Sequence, residues 1–214
     1  MRKRGCGQPL ADSGCHPVRR RRGDCPPGVL GKIAQTYEDV VAAFIRDRRP
    51  LKRRHLEFYR GQPTFEDAVR VAALSIRGPD QKRHSHQCRI PGAALNEAWR
   101  ALRTAPLREA KDFDALHDLV VSTTRGIPKI GALACYDIAE RIGVQLGLQP
   151  DKLVYLHAGA RDGARALGIH GDIVDKRGFP ATFRRLSAAE LEDCLCVYKD
   201  DLARIAQRQA FQVA

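Results

Sequence analysis

The chain has 214 residues, 43% of them hydrophobic, with a mean hydropathy of −0.38; these values exclude a globally disordered chain and suit one domain with a buried core. No run approaches 18 uncharged apolar residues and the first residues form no apolar signal segment, so the expectation is a soluble, unsecreted, cytoplasmic protein. The formal charge is +12 and the pI is near 9.7, an excess that favours polyanionic partners. No segment combines a basic face with a wide, bulky apolar face, so nucleic acid is expected as the partner and a membrane is not.

Charge distribution sharpens this expectation. Residues 1 to 28 hold seven basic and two acidic groups, among them the run Arg19-Arg20-Arg21-Arg22, together with five Gly, four Pro and almost no apolar periodicity. They read as a disordered basic arm, either lying on a nucleic-acid backbone or serving as a solvated tail. Residues 29 to 214 read as a single domain that keeps +7 of the total. Seven cysteines, at 6, 15, 25, 88, 135, 194 and 196, are odd in number and form no compact framework, so reduced thiols are expected, with Cys135 and Cys194 as core packing.

From Ile33 the apolar residues Tyr37, Val40, Val41, Phe44 and Ile45 recur at helical spacing, and Pro50 marks a break. The basic run Arg46 to Arg54 fits phosphate contacts and a solvated face equally well. Thr64 with Asp67 three positions on opens a second helix, whose face includes Phe65, Ala68, Val69, Ala72, Ala73 and Ile76 and which Gly78-Pro79 ends. The loop 81 to 89 is polar and basic; Lys82, Arg83 and Arg89 are candidate phosphate contacts. His84, His86 and Cys88 are too few for a structural zinc site, so no metal and no cofactor are expected. A helix over 92 to 102 follows, with Leu95, Trp99 and Leu102 inward, then a helix capped by Asp112 with Phe113, Leu116, Leu119 and Val120 apolar. Ser187 with Glu190 caps the last helix, striped by Leu191, Leu195, Tyr198, Leu202 and Ile205. Apart from the run Leu153 to His157 no strand pattern appears, and the fold class expected is all-α.

Between these helices lies Thr124-Arg125-Gly126-Ile127-Pro128-Lys129-Ile130-Gly131-Ala132-Leu133, a Gly- and Pro-containing turn from which Leu133, Ile138 and Ile142 resume a helix ending at Gly143. Helix, tight turn and helix with an aliphatic-Pro-x-aliphatic-Gly turn resemble the helix-hairpin-helix of the DNA glycosylase superfamily typified by endonuclease III. The resemblance implies a helical glycosylase-like scaffold whose turn amides and second-helix N-terminus grip one phosphate, with Arg125, Gly126, Lys129, Ile130 and Gly131 at the DNA. The chain departs from that family at specific positions. Lys129 replaces the first turn glycine, Leu133 stands where bifunctional members carry the Schiff-base lysine, Leu153 to His157 supplies no catalytic aspartate, and the four-cysteine cluster loop is missing. His157 and Asp162 are the substitute catalytic candidates, and Tyr136 and Tyr155 the candidates for stacking on a displaced base.

The expected function is therefore sequence-tolerant DNA binding without the standard glycosylase chemistry. The alternatives are an active base-excision glycosylase with a displaced catalytic group and a helical protein-interaction module that uses the final helix.

Overall fold

The computed structural model describes residues 34–213; the expectations for the basic arm at 1 to 28 and for Ile33 lie outside the described residues. Thr36 opens α1 (Tyr37–Ala43) with a capping box, its hydroxyl accepting the Asp39 N–H while the Asp39 carboxylate accepts from the Thr36 N–H. The expected break at Pro50 does not occur. A π turn, Phe44–Arg48, intervenes, with the Arg49 N–H bonded to the Phe44 carbonyl, and α2 (Arg49–Arg60) carries Pro50 in its first turn. The wider winding places the proline where the α-helical ladder is already interrupted, so its missing donor and its ring do not end the helix.

Thr64 caps α3 (Phe65–Ala73) through the Asp67 N–H. This helix stops five residues before Gly78, because Ser75 adopts a φ of 58° and the Ile76 N–H returns to the Val71 carbonyl at 2.9 Å, a Schellman closure. Ile76, expected on the helical face, instead pairs with Arg83 in a β-bridge. Helix α4 (Gly92–Leu102) matches its expected span, and Asp112 caps α5 (Phe113–Thr124). Helix α6 (Ala132–Leu146) runs three residues past the expected end at Gly143 and closes at Gly147, φ 73°. Strand β1 (Leu153–Tyr155) pairs antiparallel with β2 (Ile173–Asp175), Val154 opposite Val174, with α7 (Ala158–Ala166) between them. The expected single last helix is two, α8 (Ala188–Val197) under the Ser187–Glu190 capping box and α9 (Lys199–Val213). The described residues are thus all-α apart from this two-stranded sheet and the Ile76–Arg83 bridge, and none of their helices is long and apolar enough to cross a membrane.

Burial divides the apolar side chains into two large clusters and a small third one, Ala94, Ala98 and Ile127. The first joins Tyr59 of α2 to Val69, Leu102, Leu116, Ile138 and Ile142 of α3 to α6. The second joins Val40 and Phe44 to Phe179, Phe183, Leu191, Leu195 and Leu202. Each large side chain so buried contributes roughly 1.5–3 kcal/mol against exposure. Strand β1 serves both clusters through its two-residue period: Leu153 and Tyr155 pack on the first, Val154 and Leu156 on the second.

Helices α7 and α8 approach closely enough that backbone meets backbone. A Cβ at Gly163 would lie 2.2 Å from the Leu195 carbonyl oxygen, and one at Gly159, a turn earlier on the same face, 2.6 Å from Cys196 Sγ. A carbonyl cannot swing aside; a thiol can. Gly163→Ala should therefore lower stability by about 2–3 kcal/mol, the range for overpacking, and Gly159→Ala by clearly less, read from denaturant midpoints at equal m-value.

Candidate functional site

The α5–α6 turn is held from below and open above. Ile127 is 8% exposed and packs with Ala94 and Ala98 of α4, with Ile90 and Ile130 against the same cluster. Arg125, Gly126, Pro128, Lys129, Gly131, Ala132 and Leu133 are all exposed. Two residues of the turn have positive φ: Gly126 at 86° and Lys129 at 70°. For lysine that conformation costs on the order of 1 kcal/mol against glycine. Gly131 is the N-cap of α6 and makes no side-chain cap bond. Among the described residues the N–H groups of Gly131, Ala132, Leu133 and Ala134 find no backbone acceptor, whereas the Ile130 N–H is bound to the Ile127 carbonyl. A Cβ at Gly131 would meet nothing within 4 Å and its φ is −104°, so the position is open from above without requiring glycine's conformational range.

The loop at 81 to 90 lies against this turn, but its three cations differ. Arg83 Nη1 donates to the Ile90 carbonyl at 3.0 Å, and a Cβ on Gly92 would meet its Nη2 at 3.3 Å; Arg83 thus fastens the loop to the start of α4 instead of extending into solvent. Lys82 is exposed beside Asp80, Nζ to Oδ2 3.3 Å, and Arg89 is exposed. Of the histidines of the loop, His84 turns in to α2, while His86 stays exposed and reaches Asp137 of α6. His84 Nε2 lies 2.9 Å from both His55 Nε2 and the Tyr59 hydroxyl, and the Tyr59 hydroxyl donates to the Ile76 carbonyl. His86 Nε2 donates to Asp137, which also accepts from Gln87 and Arg141; Gln87 in turn accepts from Arg141 and from the Ser75 hydroxyl. Among the described residues no three His, Cys, Asp or Glu side chains are placed to hold a metal.

Burial sets the protonation of this network. It pushes His84 down to about 2 and His55 to about 4, with the Arg141 cation adding to both shifts. Both rings are neutral at pH 7, which suits a pair in which one Nε2–H donates to the other. Burial alone would raise Asp137, but Arg141 and the His86 hydrogen bond outweigh it and keep the carboxylate ionised.

A second polar cluster, which the sequence pattern gave no reason to assemble, sits where α2, α6 and α8 meet. The Lys52 ammonium lies 2.6 Å from Glu140 Oε1 of α6 and 2.6 Å from Asp193 Oδ2 of α8. Burial would lower the pKa of Lys52, but the two carboxylates reverse this and keep it protonated; Glu140 is raised by its own burial against the pull of Lys52. The Lys52 ammonium is the partner of Glu140 Oε1, joining charge to hydrogen-bond contact at this separation. Arg49 of α2 adds a two-pronged pair to Glu190 of α8, at 2.7 and 2.9 Å.

His157 stands beside this cluster as the N-cap residue of α7, its Nδ1 3.4 Å from Glu192 Oε1 and its ring 5.0 Å from that of Tyr136. Burial raises Glu192 to about 7. Asp162 is not brought to His157: it is exposed on α7 and pairs with Arg165 at 3.2 Å, because the helix turns it outward while the cap residue faces α8. Tyr136 and Tyr155 are 3% and 5% exposed and pack with Phe113 and His117 in one aromatic cluster. Their faces are covered, so as placed here neither offers a stacking platform. A surface concavity of about 200 Å³ at Arg161, Arg165, Ile169, His170, Gly171 and Asp172 is lined by neither His157 nor the α5–α6 turn, and a shallower one of about 500 Å³ along α5 reaches the turn only at Arg125. Glu192 is the polar partner that sequence reasoning missed; its one signal was a carboxylate between the buried Leu191 and Cys194 of the last stripe.

Comparisons with protein-family models, with curated proteins and with solved structures gave no match.

Lys52→Met leaves two carboxylates facing each other without their cation and should cost about 3–5 kcal/mol; Asp193→Asn, whose site is part exposed, should cost less. Titration of the histidine pair supplies a second check. His84 binds its proton far more weakly in the fold than the unfolded value of 6.5, so the stability it contributes is full above that value and lost as pH falls below it. Glu192, raised in the fold, acts in the opposite sense, so a difference between variants isolates the histidine. The stability advantage of the native chain over His84→Gln should narrow between about pH 7.5 and about pH 5, measured by urea denaturation.

Proposed function

We propose that this chain binds duplex DNA without strong sequence preference, gripping the phosphate backbone with the α5–α6 turn in the manner of a helix-hairpin-helix on a glycosylase-like helical scaffold. The observation that carries the reading is Lys129. An exposed lysine at φ 70° is a conformational cost with no packing return, since glycine would satisfy the turn better. A cation beside amides that lack acceptors supplies the return: the amides and the positive end of α6 attract a phosphate oxygen, and the ammonium adds its own charge. Exposed Arg125 on one side and Arg89 and Lys82 on the adjoining loop extend the same potential, and the +12 charge of the chain favours encounter.

The proposal is for binding without the excision chemistry of the glycosylases. Leu133, 41% exposed on the first turn of α6, cannot form a Schiff base, and Asp162 is turned to solvent.

Fluorescence anisotropy with labelled duplexes of unrelated sequence tests the reading. Affinity should vary little among sequences and fall steeply between about 50 and 200 mM salt, log K decreasing by ~0.9 per phosphate contacted. Lys129→Gly should raise stability by ~1 kcal/mol while weakening binding and flattening the salt slope by ~0.9. Opposite signs in the two assays separate a ligand role from a structural one. A flat salt response in the native chain, or a glycine variant that binds as tightly as the native chain, would overturn the proposal.

A further inference from the structure

The two large apolar clusters are separate, and where α2, α6 and α8 meet between them the contacts are ionic. The helix Tyr37–Arg60 leaves the second cluster at Phe44 and Ile45, within the π turn at 44–48, and enters the first at Phe58 and Tyr59; between them come Arg49 and Lys52. Strand β1 is the other crossing, with alternate residues on either cluster. Where α6 of the first cluster faces α8 of the second, Lys52 holds a carboxylate from each at 2.6 Å, and Arg49 holds Glu190.

We infer that residues 34–213 are two lobes able to part at this seam, pivoting about the π turn and β1, with Lys52 as the latch. Prying apart an apolar interface exposes hydrocarbon to water, whereas parting an ionic one returns charges to water, so much of the lost attraction is recovered as hydration. The π turn supplies the pivot: it is the one stretch of the long helix whose winding departs from the α ladder.

The seam shuts in a specific set of groups. Tyr136 of α6 and His157 at the cap of α7 meet ring to ring across it, with Glu192 of α8 behind His157. Tyr136 is 3% exposed, and parting the lobes uncovers it together with the His157–Glu192 pair. The charged and titratable groups that act on the latch are His55 from α2, Tyr136 and Asp137 from α6 and Glu192 from α8, with His157 of α7 behind Glu192 and the Arg49–Glu190 pair joining the same two elements, α2 and α8. The latch answers to the sum of these charges and not to Lys52 alone.

The five tyrosines of the chain are built-in reporters. Full-length protein made with 3-fluorotyrosine gives a 19F signal from each, and the difference between its shifts in light and heavy water measures solvent access. Tyr136 lies on the seam; Tyr59, fully buried in the first cluster, does not. In the native chain both should be shielded. In Asp193→Asn, which keeps Lys52 paired to Glu140, and more so in Lys52→Met, the isotope shift of Tyr136 should rise to at least half its value in denaturant while Tyr59 stays shielded. Tyr136 remaining shielded in the folded Asp193→Asn protein would overturn the inference. So would Tyr136 and Tyr59 opening together in either variant, because the clusters would then be one cooperative unit with no seam between them.

Discussion

One ammonium group between two carboxylates organises this molecule. Lys52 joins α6 and α8 by holding a carboxylate from each, and it is itself delivered by the helix that runs from one cluster into the other. A largely buried ion cluster of this kind is a poor source of net stability, because the hydration lost by Lys52 and Glu140 offsets most of the attraction, while Asp193 stays part exposed. Its value lies in selectivity: an arrangement of the two clusters that failed to bring Glu140 and Asp193 to the same nitrogen would leave a charge buried and unmatched. The lysine therefore discriminates between packings that hydrocarbon burial alone would rank as near equals.

The histidine network on the other side of α2 does related work by different means. Neutral His55 and His84, the Tyr59 hydroxyl, Gln87 and the Asp137–Arg141 pair attach the 81–90 loop to α2 and α6 with directed bonds instead of side-chain volume. The loop in turn reaches Ile90, whose side chain helps to support Ile127 beneath the α5–α6 turn. The exposed turn thus rests on a polar framework two steps removed from it, so a change at His84 bears on a surface it does not touch. This is the physical link between the buried half of the molecule and the face proposed to meet DNA.

Caps and single-face stripes were legible in the sequence: Thr64, Asp112 and Ser187 each announce a helix through a side chain that bonds within its own first turn, and α4 begins and ends where its pattern does, whereas the Thr36 cap of α1 went unread behind the apolar spacing that follows it. Lys129 was legible as well, as a lysine at a position of glycine-like geometry. What escaped was whatever depended on a partner distant in sequence or on a change of winding. Pro50 reads as a breaker only if the helix around it is an α-helix, and the π turn removes that premise. Ile76 keeps an apparent helical phase after Ser75 has already reversed the chain. Glu140, Glu192 and Asp193 look like solvated charges on amphipathic helices until Lys52 and His157, remote in sequence, arrive opposite them. Tyr136 and Tyr155 are suited by type to hold a planar ligand, but residue type carries no information about which ring faces are already covered.

The division of labour in β1 has an implication for how this sequence can drift. Neighbouring side chains on a strand point opposite ways, and here both directions lead into hydrocarbon: Leu153 and Tyr155 into one cluster, Val154 and Leu156 into the other. Swapping one aliphatic residue for another disturbs a single side, but losing or gaining one position would invert all four at once and offer each cluster shapes made for its neighbour. These four positions can vary in kind and never in number.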